Sequence, residues 1–142
     1  MRTYVDTSFL ISLYSLDMNS AAAARTMKAS TGEHLVSTLC ELEAINALQL
    51  RLFRKEVSPA QARSSATAFE KDLRDGIFQL QPLSEQAFEK ARQLSRENTA
   101  KLCTRTADLL HVASALDLHA DRLYTFDQQQ RKLAHAVRLK LN

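Results

Sequence analysis

Glycine is almost missing: the 142 residues contain only Gly32 and Gly76. That excludes a G-x-G-x-x-G dinucleotide turn and a G-x-x-x-x-G-K phosphate loop, which need closely spaced glycines to bring backbone amides against phosphate. Two cysteines, Cys40 and Cys103, are too few for a four-cysteine zinc site or a disulfide framework. They fit a reducing, cytoplasmic setting and are expected to be buried small hydrophobes. The four histidines (His34, His111, His119, His135) stand too far apart for H-E-x-x-H. No apolar run approaches the ~18 residues that would cross a bilayer. The stretch 9–16 imitates the core of a signal peptide, but Asp6 and Asp17 interrupt the apolar region, so the chain is read as soluble and cytosolic. Nor does one sign of charge prevail strongly. Nineteen Lys and Arg against sixteen Asp and Glu leave +3, which permits a polyanionic partner without demanding one.

What is present is the material for one core. A length of 142 residues with 45% hydrophobic and 25% charged side chains predicts a single domain over 1–142. Short apolar runs at 2–5, 34–37, 77–80, 123–126 and 137–139 read as strands. Helical spacing fills 7–16, 20–30, 38–53, 59–74, 84–98, 106–119 and 127–136. Thr38 with Glu41 three residues on has capping-box spacing, and Ser58-Pro59 and Ser84 mark two further helix starts. Leu42, Ile45, Leu48, Leu52 and Phe53 recur at helical intervals, as one apolar stripe would. Strands alternating with such helices require right-handed crossovers. The expected class is therefore α/β: a three-layer α/β/α domain with a short, mainly parallel sheet of four to five strands.

In such sheets ligands bind along the edge where the strands end. Acids recur at that edge. Asp6 closes the first strand and Asp127 the strand 123–126. Asp108 stands in the first turn of the 106–119 helix, and Glu43 in the second turn of the helix after 34–37. Each has a structural explanation, because an acid near a helix N-terminus is favoured by about 0.3–1 kcal/mol. Glu41 has such a job in its capping box and is left out of the site; Glu43 has none. Capping, however, does not require acids to converge. If they do, repulsion raises their pKa values unless a cation screens them, and a hard divalent ion with oxygen ligands is the natural screen. The expectation is a Mg²⁺ or Mn²⁺ site that activates water and neutralises a phosphoryl oxygen.

Val5-Asp6-Thr7-Ser8, Glu43-Ala44-Ile45-Asn46-Ala47-Leu48, Arg105-Thr106-Ala107-Asp108-Leu109-Leu110-His111-Val112-Ala113 and Leu123-Tyr124-Thr125-Phe126-Asp127 resemble, in order, the motifs of PIN-domain nucleases. The likeness is greatest to VapC-type toxins of toxin–antitoxin pairs and runs over nearly the whole chain. It implies a PIN-like fold, a Mg²⁺- or Mn²⁺-dependent endoribonuclease, a homodimer, and a small antitoxin whose tail covers the site. By position it implies Asp6, Glu43, Asp108 and Asp127 as the catalytic, metal-holding acids, with Thr7, Ser8 and Thr125 as supporting hydroxyls. In line with that family, water attack would leave a 3′-hydroxyl and a 5′-phosphate. Two departures stand out. His135-Ala136 lies where many relatives carry a glycine before the last strand, and Gln128, Gln129 and Gln130 replace a further acid, which argues against a second tightly held metal.

RNA must also be gripped. Arg51, Arg54 and Lys55 follow Glu43; Arg92, Arg96, Lys101 and Arg105 precede Asp108; Arg131, Lys132, Arg138 and Lys140 crowd the C-terminus. Such residues give phosphate affinity without sequence choice. Arg105, beside Asp108, is the one singled out for the site. His111 shares a helix face with Asp108, and a packed, hydrogen-bonded role is expected of it before a ligand role. The stretch Leu48–Phe53 with the Pro59 helix is readable as core or as an exposed clip for a dimer mate or antitoxin helix. A haloacid-dehalogenase phosphatase would need D-x-D, and Ser8 stands at the second position. The remaining alternative is a catalytically silent PIN-like module that binds protein or RNA.

Overall fold

Five short strands pair side by side in the computed structural model, which describes residues 1–142. They are β1 (Arg2–Val5), β2 (Glu33–Ser37), β3 (Gln79–Gln81), β4 (Arg122–Tyr124) and β5 (Lys140–Leu141). Their order is β3-β2-β1-β4-β5 and every pair is parallel. β1 is central: Tyr4 lies opposite Leu35 of β2 and Leu123 of β4, and Thr3, Tyr4 and Val5 are fully buried. Thr3, Tyr4 and Val5 are β-branched or aromatic, the residue types that suit a strand enclosed on both faces.

The helices are α1 (Thr7–Tyr14), α2 (Ser20–Ala29), α3 (Thr38–Phe53), α4 (Pro59–Arg74), α5 (Glu85–Leu94), a single turn α6 (Ala100–Leu102), α7 (Thr106–Asp117) and α8 (Gln128–Ala136). A wider π turn, Ser95–Thr99, continues α5 into α6. α1 packs on α2, α3 and α4, while α7 packs on α5 and α8, making two helical layers around the sheet. No helix is long and apolar enough to cross a membrane. α7 is buried without interruption from Asp108 to Ala115, so one polar stretch of it is enclosed with the core. The chain turns back across β1 between β2 and β4. That reversal opens a crevice beyond the carboxyl ends of β1 and β4.

Several sequence expectations shift. Ser37, not Thr38, caps α3: its side chain accepts from Cys40 N at 3.3 Å. Thr38 Oγ1 instead accepts from Leu83 N at 3.0 Å, so the Thr38–Glu41 capping box does not form. The buried face of α3 is small, Cys40, Ala44 and Leu48, and the expected stripe mostly faces outward, with Leu42 65% and Phe53 83% exposed. Cys40 is buried as expected but Cys103 is exposed. β4 stops at Tyr124, because the next two amides bond to side chains: Thr125 N to Asn142 Oδ1 and Phe126 N to Ser8 Oγ. Asp127 thus lies beyond a short loop and does not close the strand. The third strand begins at Gln79, and the 137–139 strand is displaced to Lys140–Leu141.

That last displacement has a backbone cause. α8 ends with Arg138 N bonded to His135 O and Leu139 N to Ala134 O, the paired closure of a helix whose next residue is left-handed. Arg138 has φ +60°. The same closure ends α3 at Lys55 and α7 at His119, while α4 ends at Gly76. A chain with two glycines makes most of these turns with other residues. The left-handed region costs a residue with Cβ about 1–2 kcal/mol, and glycine gives back about 0.5–1 as unfolded-chain entropy. Arg138→Gly at this exposed position is expected to stabilise by about 0.5–1 kcal/mol, read as a higher urea midpoint. A lower midpoint would show that the arginine side chain supports the turn.

Candidate active site

Asp6 begins the site. It follows β1 with extended backbone, and its Oδ1 accepts from Phe9 N at 2.9 Å, so it caps α1. The capping role does not exhaust it. Ser8 Oγ stands 2.8 and 2.9 Å from the two Asp6 oxygens, and Thr125 Oγ1 donates to Oδ2 at 2.7 Å. These hydroxyls also receive backbone amides: Phe126 N donates to Ser8 Oγ and Asp127 N to Thr125 Oγ1. The loop after β4 is thereby stitched to the carboxylate after β1.

Asp127 caps α8, its Oδ1 accepting from Gln129 N and Gln130 N at 2.9 and 3.0 Å. Asp108, buried in the first turn of α7, accepts from Arg105 N at 2.9 Å. The Arg105 guanidinium then bridges two acids. Nε and Nη2 reach Asp108 at 3.2 and 3.3 Å, and Nη2 reaches Asp127 at 3.2 Å. Glu43 caps nothing. Its Oε1 accepts from Thr7 Oγ1 at 2.9 Å and from His111 Nε2 at 2.5 Å.

One cavity of about 670 Å³ is lined by all four acids together with Thr7, Ser8, Arg105 and His111. Thr125 is fully buried behind Asp6. Arg51 and Arg54 line the cavity as well, although Arg51 pairs with Asp17 at 3.2 Å. Arg92 pairs with Glu85 and Glu89 away from the cavity. As they stand, no three Asp, Glu, His or Cys side chains are arranged to share one ion.

The charges are answered unequally. Burial pushes the Asp6 carboxyl above the ordinary aspartate range, although His111 and bonds from Phe9 N, Thr125 and Ser8 pull it back. Glu43 is also penalised by burial, but His111, Thr7 and Arg105 together bring it below the usual glutamate value. Burial opposes the charging of His111, yet Cys40, Glu43 and Asp6 hold its pKa above that of free imidazole. The sequence placed His111 on the Asp108 face, and Asp108-x-x-His111 was the one signal for it. Nothing in the sequence signalled Tyr4, whose hydroxyl lies 3.1 Å from His111 Nδ1.

A parallel α/β/α sheet in the order β3-β2-β1-β4-β5, with carboxylates from four segments around one cavity at its carboxyl edge, defines a class of acid-clefted α/β/α domains. The chain belongs to the PIN domain family, whose model matches residues 3–136. Solved structures share the fold. The VapC20 toxin of Mycobacterium tuberculosis, described as cleaving the sarcin–ricin loop, has 17% identity over 94% of both chains, with TM-score 0.72. VapBC2 of Rickettsia felis, solved on a promoter DNA fragment, has 17% identity over 100% of this chain and 98% of its own, with TM-score 0.69. FitAcB of Neisseria gonorrhoeae has 15% identity over 98% and 95%, with TM-score 0.67. No curated protein matches the chain by sequence.

Asp6 yields a stability prediction. A carboxyl whose pKa is raised on folding holds its proton more tightly in the folded chain, so folding is penalised as pH rises through that value. Asp6→Asn removes the buried charge and leaves oxygen and amide groups that Phe9 N, Ser8 and Thr125 can pair. In a chelating buffer at pH 8, Asp6→Asn is expected to melt above the wild type, the gap closing toward pH 4. A lower melting temperature at pH 8 would show that the charge is already compensated.

Proposed function

We propose that this chain is an endoribonuclease, the toxin of a toxin–antitoxin pair, which hydrolyses RNA phosphodiester bonds with Mg²⁺ or Mn²⁺ at the acid-lined cavity. The observation that carries this reading is the meeting of Asp6, Glu43, Asp108 and Asp127, from four separate segments, around one cavity. The donor chemistry fits a hard dication, which takes carboxylate oxygens and waters. Asp6 supports the same view: it is a buried carboxylate with hydroxyl and amide partners and no ion pair. Asp6, Asp108 and Asp127 are the residues that would hold the ion, and Arg105 must leave Asp108 and Asp127 for it to enter. When bound, the ion would lower the pKa of a water and neutralise a phosphoryl oxygen.

The chain's own groups do the rest. The water oxygen attacks phosphorus as the bond to the 3′ oxygen breaks; the 3′ oxygen leaves with the bonding pair and takes a proton from solvent, giving a 3′-hydroxyl and a 5′-phosphate. Glu43 is the base of this reading. Thr7 and His111 both bond to Oε1, which leaves Oε2 to take the proton from water. Ser8 and Thr125 keep Asp6 in place. Arg54, and Arg105 once released, would hold RNA phosphates. A small antitoxin and a second copy of the chain complete the proposal, within the cytoplasm and over the whole of 1–142 as one PIN domain. The exposed apolar residues Leu42, Ile45 and Phe53 of α3 offer surface for such partners. One observation favours the silent binding module instead: Arg105 already occupies two of the acids.

Cleavage assays separate the two. RNA hydrolysis is expected with Mg²⁺ or Mn²⁺, none in EDTA, and a loss of about 100-fold or more in Asp6→Asn and Asp108→Asn. Cleavage that survives EDTA or these substitutions would contradict the metal mechanism. Arg105→Gln is expected to tighten Mn²⁺ binding about tenfold, followed by the paramagnetic resonance of free Mn²⁺, because a competing cation is gone. Unchanged affinity would mean that Asp108 and Asp127 are not where the ion goes.

A further inference from the structure

We infer that His111 is a positioning residue: braced from behind by Tyr4, it fixes the Glu43 carboxylate at the cavity. The inference rests on the nuclease reading for what Glu43 does, and on geometry alone for what His111 does.

His111 is 1% exposed and both ring nitrogens are engaged. Nε2 lies 2.5 Å from Glu43 Oε1, and since the partner is a carboxylate, Nε2 carries the hydrogen. Nδ1 lies 3.1 Å from the Tyr4 hydroxyl, which is itself held by Ser37 Oγ at 2.7 Å and Cys40 Sγ at 3.2 Å. The ring therefore spans from the central strand to the cavity with no freedom to turn. Glu43, by contrast, keeps a third of its side chain exposed, on a long stem whose torsions would otherwise sample several rotamers. His111 and Thr7, from α7 and α1, converge on the same oxygen of a residue on α3. A histidine that served packing alone needs no partly exposed carboxylate, since a backbone carbonyl satisfies Nε2 equally well. Here that bond goes to the one acid of the four that accepts no backbone amide.

The test compares His111→Leu, His111→Gln and Tyr4→Phe, with kcat and KM on an RNA oligonucleotide and the Glu43 side chain in crystals as readouts. Gln restores a donor near the Nε2 position, whereas Leu removes it. Loss of a partner that orients a reacting carboxylate lowers kcat about 10- to 100-fold, with KM within about twofold. His111→Leu is expected to show this with Glu43 disordered, His111→Gln to recover most of kcat with Glu43 ordered, and Tyr4→Phe to lose less than Leu. Wild-type kcat in His111→Leu, or equal losses in folded Leu and Gln variants, would overturn the inference. If His111→Leu does not fold, wild-type kcat in Tyr4→Phe and a loss of about 10- to 100-fold in folded His111→Gln overturn it together. A wild type that cleaves no RNA with any metal defeats the nuclease reading. The order of Glu43 in the variant crystals then still decides the role of His111.

Discussion

Like charges gathered at one edge of a parallel sheet must be answered, and the rest of this structure follows from how they are. The β3-β2-β1-β4-β5 order sets the ends of β1 and β4 side by side, which brings Asp6 and Asp127 toward the same crevice. α7 and α3 add Asp108 and Glu43. The protein supplies partial answers of its own. Arg105 spans Asp108 and Asp127, His111 meets Glu43, and Asp6 has hydroxyls and an amide in place of a cation. The least compensated acid is also the most deeply buried, a destabilising arrangement that folds tend to keep only at functional sites.

Structural and functional roles are not alternatives here. Asp6 and Asp127 cap helices, and Asp108 bonds the amide that starts α7. A cap places a carboxylate at a helix N-terminus, and the N-termini that follow β1 and β4 face the crevice. Capping thus holds one oxygen of each carboxylate in place while leaving lone pairs for other partners. Glu43 lacks that anchor, and His111 with Thr7 takes its place.

Much of this was legible in the sequence. The α/β alternation, the central strand and the four acids all stand in their motifs with local signals: buried apolar runs, hydroxyl caps and acids one or two turns into helices. Four features were not legible, each for a physical reason. Helix ends at Lys55, His119 and Arg138 lack the glycine that normally marks a left-handed closure, so the last strand was misplaced. The end of β4 is set by side chains of Ser8 and Asn142, more than a hundred residues away in one case. The exposed face of α3 carries as regular an apolar spacing as a core face, and periodicity cannot distinguish them. The bridge by Arg105 from Asp108 to Asp127 depends on tertiary placement of two loops, which spacing alone does not encode.

The central claim is that these acids meet to hold a dication, and it is tested most directly by a crystal soaked in Mn²⁺ and measured for anomalous scattering. The account predicts a peak bounded by Asp6, Asp108 and Asp127, with Arg105 swung away from both of its partners. Anomalous density absent from the cavity, with the Arg105 bridge intact at saturating Mn²⁺, would contradict it.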